Sequence, residues 1–354
     1  MRWSELAPAV VPRQTLISAE ISSGERTTCG VAGLTYYVDP VQGSADGRLE
    51  TPLSDWLGAP VQGVPRQGAT ANPYDPRVKP LSAAVELAVL DALGRDTDLP
   101  VAAFFGGVCR TRLEAYASLP SFATPEEAVD CAADAATAGF RAVKFHASGA
   151  VDVDIPTIRE ARRRLGASIK LMWDASCAYE LYSAVLIGNA LSEADFLWFE
   201  APLGDDSTAA LTWLARRTSV PLVPDGMHLR SASDWARGIS DGIWGALRLD
   251  VTRDSGITSA LQLLRLAETL GAPCEIQSYG FPLSQYSNLQ LMLATHACRF
   301  FEAPFPADAL ADELTTGPTV ADGFVSPPTR PGLGHDVDAG VLAERCTRLA
   351  QASL

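Results

Sequence analysis

Two short apolar runs in this chain stop abruptly at a carboxylate: SIKLMW ends at Asp174 and FLWF ends at Glu200. Acids at the mouths of buried strands are costly unless something positive lies between them, and a hard divalent cation would do that. Other apolar runs also end in groups that carry chemistry. Lys144 and His146 stand two positions apart in RAVKFHA, on one face of a strand. PDGMH carries Asp225 and His228, RLD ends at Asp250, EIQ at Gln277 and FFE at Glu302. A lysine can offset developing negative charge, and a histidine can exchange protons near neutral pH. Taken singly, several have structural explanations: Asp174 as a helix cap, Lys144 as an interior lysine paired with a carboxylate, His146 as a hydrogen-bonded core residue, Asp250 as a salt-bridge partner. His296 lies in a helical pattern and His335 in the tail, and both read as structural. Cys177 reads as a small filler rather than a nucleophile. Polar groups at seven of eight strand ends are harder to explain by structure alone.

The elements that must position these residues are legible in the rhythm of the chain. Residues 168–203 read as strand, helix (about 180–194) and strand. A crossover between parallel strands brings their C-terminal ends to one edge, so Asp174 and Glu200, 26 residues apart, should sit side by side. From Leu113 onward the runs LEAYASL, RAVKFHA, SIKLMWDA, FLWFEAP, PLVPDG, GALRLDV, PCEIQS and RFFEA alternate with helical segments. Eight strands with seven helices point to an α/β chain closed as a parallel barrel, with its chemistry at the strand C-termini. Periodicity alone leaves an open doubly wound sheet as the alternative, but no glycine-rich phosphate fingerprint follows the first strand.

Residues 1–112 are different. Thr15–Ser22 followed by SSGERTTCGVAG is a hairpin signal, and 39–80 reads as a long loop over the site. LSAAVELAVLDALGRDT reads as an amphipathic helix with Ser82 as candidate cap, then a Pro break and a short second helix. The turn-rich tail from 310 is expected to pack back on the N-terminal region. Three spans follow: 1–112, 113–309 and 310–354. A net charge of −14 without a basic run argues against nucleic acid. No apolar run is long enough for a membrane, and the N-terminus lacks the pattern of a signal peptide. Seven scattered cysteines without a CxxC pair suit a reducing, cytoplasmic setting.

In order, SAAVELAVLDALGRDTDLPVAAFFGG, FRAVKFHASG, LMWDAS, FLWFEAPL, RLDVTRDSGIT and RPGLGHDVD resemble the enolase superfamily, in its mandelate racemase and muconate-lactonizing branch. The resemblance implies a (β/α)7β TIM-like barrel with an α+β capping domain built from the N-terminal region and the C-terminal tail. It implies a homo-oligomer and Mg2+-dependent removal of the proton α to the carboxylate of a small molecule. Asp174 and Glu200 match metal ligands, Lys144 the charge-stabilising lysine, and His146 the acid/base position. Glu302 matches a residue that hydrogen-bonds or protonates substrate, and Asp250 the partner of a second base. Two matches fail. Met227 stands at the third metal ligand, where a thioether serves a hard cation poorly, leaving Asp225 as substitute. Gln277 stands where the second base would be and cannot exchange protons. One-face chemistry follows as the expectation: a lyase dehydrating a sugar acid, with His146 as base. The alternatives are a racemase, epimerase or cycloisomerase, and a non-catalytic ligand-binding barrel.

Overall fold

The computed structural model describes residues 16–23, 26–33, 78–226, 232–253, 256–307 and 314–337. Most of the long loop at 39–80, together with Met227, His228 and the end of the tail, lies outside the described residues. The hairpin is present: β1 (Leu16–Ser23) pairs antiparallel with β2 (Arg26–Gly33), from Leu16 opposite Gly33 to Ser23 opposite Arg26. Helix α1 spans Val78–Thr97, so Ser82 lies inside it and is not its cap. Pro80 falls in the first turn, where a missing N–H costs nothing, and the helix starts earlier than the apolar pattern suggests. A short 3-10 turn, Val101–Phe105, follows Pro100.

The eight expected strands form: β3 (Leu113–Ser121), β4 (Ala142–His146), β5 (Lys170–Asp174), β6 (Phe199–Glu200), β7 (Leu222–Val223), β8 (Leu247–Leu249), β9 (Cys274–Ile276) and β10 (Phe300–Pro304). Between them run α2 (Pro125–Thr137), α3 (Val151–Leu165), α4 (Leu181–Glu193), α5 (Thr208–Ala215), α6 (Ala232–Ser240), α7 (Gly256–Leu270) and α8 (Pro282–Leu293). Strands β3 to β7 pair in parallel sequence, β8 pairs with β9, and β10 returns to pair with β3. Two joints lack a ladder. Each is crossed by a backbone hydrogen bond, Gly245 N to Leu222 O at 2.8 Å and Cys274 N to Ala297 O at 3.1 Å. The strands thus close into a barrel. A short hairpin, β11 (Val320–Ala321) and β12 (Phe324–Val325), adds to the start of β3.

Alternation along each strand sorts the side chains. Val143, Phe145, Leu171, Trp173, Leu247 and Leu249 join the core shared with the helices. Ala142, Met172, Trp198, Ala246, Phe300 and Tyr116 form a separate apolar cluster that fills the barrel interior. One step of the alternation beyond that cluster places Lys144, Asp174, Glu200, Arg248 and Glu302 inside the barrel. Among the described residues, no helix is long and apolar enough to cross a membrane.

Candidate active site

Strand register brings the first acids together. His146 stands opposite Asp174 in the β4–β5 pair, and Asp174 opposite Glu200 in the β5–β6 pair. The side-by-side placement expected of Asp174 and Glu200 is therefore met. Lys144 Nζ lies among three carboxylates: 3.2 Å from Asp174 Oδ2, 3.2 Å from Glu200 Oε2 and 2.6 Å from Glu302 Oε1. A second cation, Arg248, bridges the same group, with Nε 2.6 Å from Glu200 Oε1 and Nη2 2.9 Å from Glu302 Oε2. Arg248 Nε approaches Glu200 closely but off the hydrogen-bonding direction, so the contact is ionic; its Nη1 is buried without an acceptor among the described residues. Trp198 Nε1 donates to Glu200 Oε2, while Ser118 Oγ and Ser278 N donate to Glu302.

The electrostatics follow from three acids sharing two permanent cations. Burial works against the Lys144 ammonium, but Glu200 and Glu302 outweigh it and hold its pKa well above the usual range. Burial also opposes the Asp174 carboxylate, yet Lys144 and His146 hold it well below the usual carboxylate range. Glu302 is brought down to about 2, as Lys144 and Arg248 overcome its burial. The excess negative charge falls on Glu200. Burial, then the neighbouring Asp174 and Glu302, push it up against the pull of Arg248 and Lys144.

The mouth above this cluster is formed by His146 and Asp174, whose side chains are 15% and 11% exposed, against 2% or less for Lys144, Glu200, Arg248 and Glu302. His146 Nδ1 faces Leu119 O at 2.5 Å, and its Nε2 lies 3.2 Å from Asp174 Oδ2. A carbonyl can only accept, so Nδ1 carries a proton and Nε2 is the nitrogen that gains and loses one. Asp174 is fixed on its other side, where Oδ1 accepts from Ser176 N at 2.8 Å. Backbone strain gathers here: Ser176, Cys177 and Ala201, just past Asp174 and Glu200, adopt φ of 46°, 62° and 44°.

The remaining expected residues are placed differently. Glu302 is wholly buried beneath the mouth and holds Lys144 and Arg248 instead of reaching a substrate. Asp250 accepts from Thr252 N, Thr252 Oγ1 and Asn288 Nδ2, which makes it a clamp on the β8–α7 turn. Asp225 turns towards Arg253, its Oδ2 3.8 Å from Nη1. Gln277, with its amide oxygen towards the same guanidinium, accepts from Arg253 Nη1 at 2.9 Å. Gly226, at φ 86°, lets the end of β7 pass Arg248 O and Arg253, where a Cβ would come within 3.1 Å of both. Cys177 is exposed, and partial desolvation followed by the nearby carboxylates pushes its thiol up to about 12, away from the thiolate that a nucleophile needs. Arg248 and Arg253 were not singled out from sequence. The available signal was the period-two alternation that puts Arg248 on the face of Asp250.

A family model described as "Enolase C-terminal domain-like" matches residues 127–341. A D-gluconate/D-galactonate dehydratase of Picrophilus torridus is 24% identical over 273 residues, covering 73% of this chain and 69% of that protein. An N-succinyl-L-Arg/Lys racemase of Bacillus cereus is 24% identical over 273 residues, covering 74% and 70%. The crystal structure of a mandelate racemase/muconate lactonizing enzyme from Jannaschia sp. CCS1 superposes with a TM-score of 0.78 at 22% identity, over 93% of this chain and 96% of that one. The family match spans more than half of the sequence and the barrel agrees with it throughout: the chain belongs to the enolase superfamily, in the mandelate racemase and muconate-lactonizing branch.

Proposed function

We propose that this chain removes the proton α to the carboxylate of a small hydroxy acid and expels the β-hydroxyl, dehydrating a sugar acid to its 2-keto acid. The observation that carries the reading is the His146–Asp174 pair at the mouth, set directly above two buried cations. His146 Nε2 takes the α-proton, and Asp174 stabilises the imidazolium so formed. The positive charge of Lys144 and Arg248 beneath the mouth offsets negative charge as it develops on the substrate carboxylate. The proton on Nε2 then passes to the departing hydroxyl: a C–H and a C–O bond break, water leaves, and the enol product tautomerises to the keto acid. Dehydratases among the relatives support the substrate class. The thiols of Cys109, Cys131, Cys177 and Cys298 lie outside any disulfide, which suits work in the cytoplasm.

Enolase-superfamily enzymes generally use Mg2+. The donor set here does not fit it as arranged. Asp174 Oδ1 accepts from Ser176, and its Oδ2 faces both Lys144 and His146. Glu200 Oε1 faces Arg248, and its Oε2 faces Lys144 and Trp198. Among the described residues, no group of three His, Cys, Asp or Glu side chains is placed to hold a metal ion.

A racemase is the second reading, and a relative of that activity motivates it. Racemisation needs a proton donor on each face of the α-carbon. Gln277 and Arg253 meet each other at the mouth, and neither exchanges protons at neutral pH. A panel of sugar acids, assayed for 2-keto acid with semicarbazide, separates the two by product. Changing His146→Ala should lower exchange of the substrate α-hydrogen with solvent deuterium by about 10²–10⁴-fold. Exchange at the wild-type rate would remove His146 as the base.

A further inference from the structure

We propose that Arg248, acting with Lys144, is a built-in replacement for the divalent metal of this mouth, and that Arg248 is the residue that keeps a metal out. Three observations converge on it. Its position is set by the strand: β8 alternates so that Leu247 and Leu249 join the outer core while Arg248 turns inward, wholly buried. Its contacts are those a bridging cation would make, since the guanidinium joins Glu200 on β6 to Glu302 on β10 across the barrel. Its unmet need has the wrong sign for a metal. Arg248 Nη1 is a buried donor without an acceptor among the described residues, so what the guanidinium still lacks is a hydrogen-bond acceptor and not a further cation. A divalent ion between Asp174 and Glu200 would meet Lys144 on the same two oxygens and Arg248 on the next one. The guanidinium is charged at every accessible pH and cannot yield by losing a proton.

Sequence supplies an independent reason. The third ligand position falls on Met227, and the nearest carboxylate, Asp225, faces Arg253. A site that keeps two acids, loses the third and inserts an arginine beside them has exchanged a diffusible cation for a covalently attached one. Arg248 is a positioning residue in this account. It touches Glu200, Glu302 and Tyr116, and holds the charge beneath the mouth without reaching the substrate.

The test is Mn2+ binding to the full-length chain, followed by electron paramagnetic resonance and calorimetry. Wild type should bind no Mn2+ at millimolar concentration. Arg248→Met should gain a single site, at least about tenfold tighter than anything seen in wild type, and adding Glu200→Gln should abolish it. Arg248→Lys keeps a cation and should stay silent. Circular dichroism checks each fold, and Arg248→Gln replaces the Met variant if that one does not fold. Stoichiometric binding of Mn2+ by wild type would overturn the proposal. So would a folded Arg248→Met or Arg248→Gln protein that binds none, because exclusion would then not be the work of Arg248. These readouts need no substrate, so they stand or fall separately from the dehydratase reading.

Discussion

Glu302 illustrates how one side chain can be essential without touching a substrate. Its carboxylate is fully buried and binds Lys144 at 2.6 Å and Arg248 at 2.9 Å, with Ser118 and Ser278 filling the remaining directions. Removing one partner of a buried ionic group leaves the others uncompensated, and that penalty exceeds the net worth of the pair itself. Glu302→Gln keeps the shape but leaves two cations sharing Asp174 and Glu200. It should cost about 3–5 kcal/mol in the free energy of unfolding, read from urea titrations. A change below about 1 kcal/mol would mean that the cations relax into solvent, and that the cluster is looser than its geometry. At this scale the acids were legible because each one ends an apolar run, as Asp174 and Glu200 do. Arg248 was not, because it sits inside its run, between two leucines, where reading only the strand ends passes over it. The same limit hid the true work of Glu302. Its position at a strand end was plain, but its depth depends on how far the neighbouring strands extend.

Elements were the more legible level. The helix expected over about 180–194 is α4, Leu181–Glu193, and all eight strands appear where short apolar runs stand. Helix α1 was harder, since its start depends on Pro80 fitting the first turn. Its packing was not readable at all. Glu86 on α1 reaches the first turn of α7, where Thr258 N and Oγ1 donate to its Oε1 at 2.9 and 3.0 Å. Gly256, at φ 87°, makes room for it, since a Cβ there would lie 2.2 Å from Glu86 Oε2. Burial raises the pKa of Glu86 from 4.5 to about 7, against the hydrogen bonds from Thr258. The unfolded glutamate releases its proton near 4.5 while the native one keeps it to about 7, so stability is lost as pH rises between those values and is level above them. At about 1.4 kcal/mol per unit the loss is on the order of 3 kcal/mol. Glu86→Gln removes that titration. Urea midpoints measured at about pH 5 and about pH 8 should fall more for wild type than for the variant. Equal slopes would show that Glu86 ionises freely in the native protein.

At the scale of the whole molecule, the two ends of the described chain are fastened to each other through one aspartate. Asp91 on α1 is fully buried; its Oδ2 accepts from Val31 N of β2 at 3.0 Å and pairs with Arg95 Nε at 2.8 Å. Its Oδ1 accepts from Leu333 N at 2.7 Å, and His335 Nε2 lies 3.4 Å from Oδ2 while also facing Val31 O at 2.9 Å. Hairpin, helix and tail thus share one carboxylate, and Gln290 of α8 adds a link from the barrel by donating to Leu333 O. Burial raises the pKa of Asp91, but His335 and Arg95 outweigh it and lower the value overall, so its contribution is present at neutral pH and is lost as pH falls through the native pKa. Asp91→Ala strands two backbone donors and a guanidinium together. The cost should be about 3–5 kcal/mol at neutral pH. The damage should also be local before it is global. The tail around Leu333 depends on this residue, whereas the strands at Asp174 and Glu200 do not. Limited proteolysis of Asp91→Ala should therefore release a short C-terminal fragment while the near-ultraviolet circular dichroism of the buried Trp173 and Trp198 persists. Simultaneous loss of both signals would show that the tail and the barrel unfold as one cooperative unit. The substrate mouth would then depend on a clamp at the opposite end of α1 from the turn that carries Pro80.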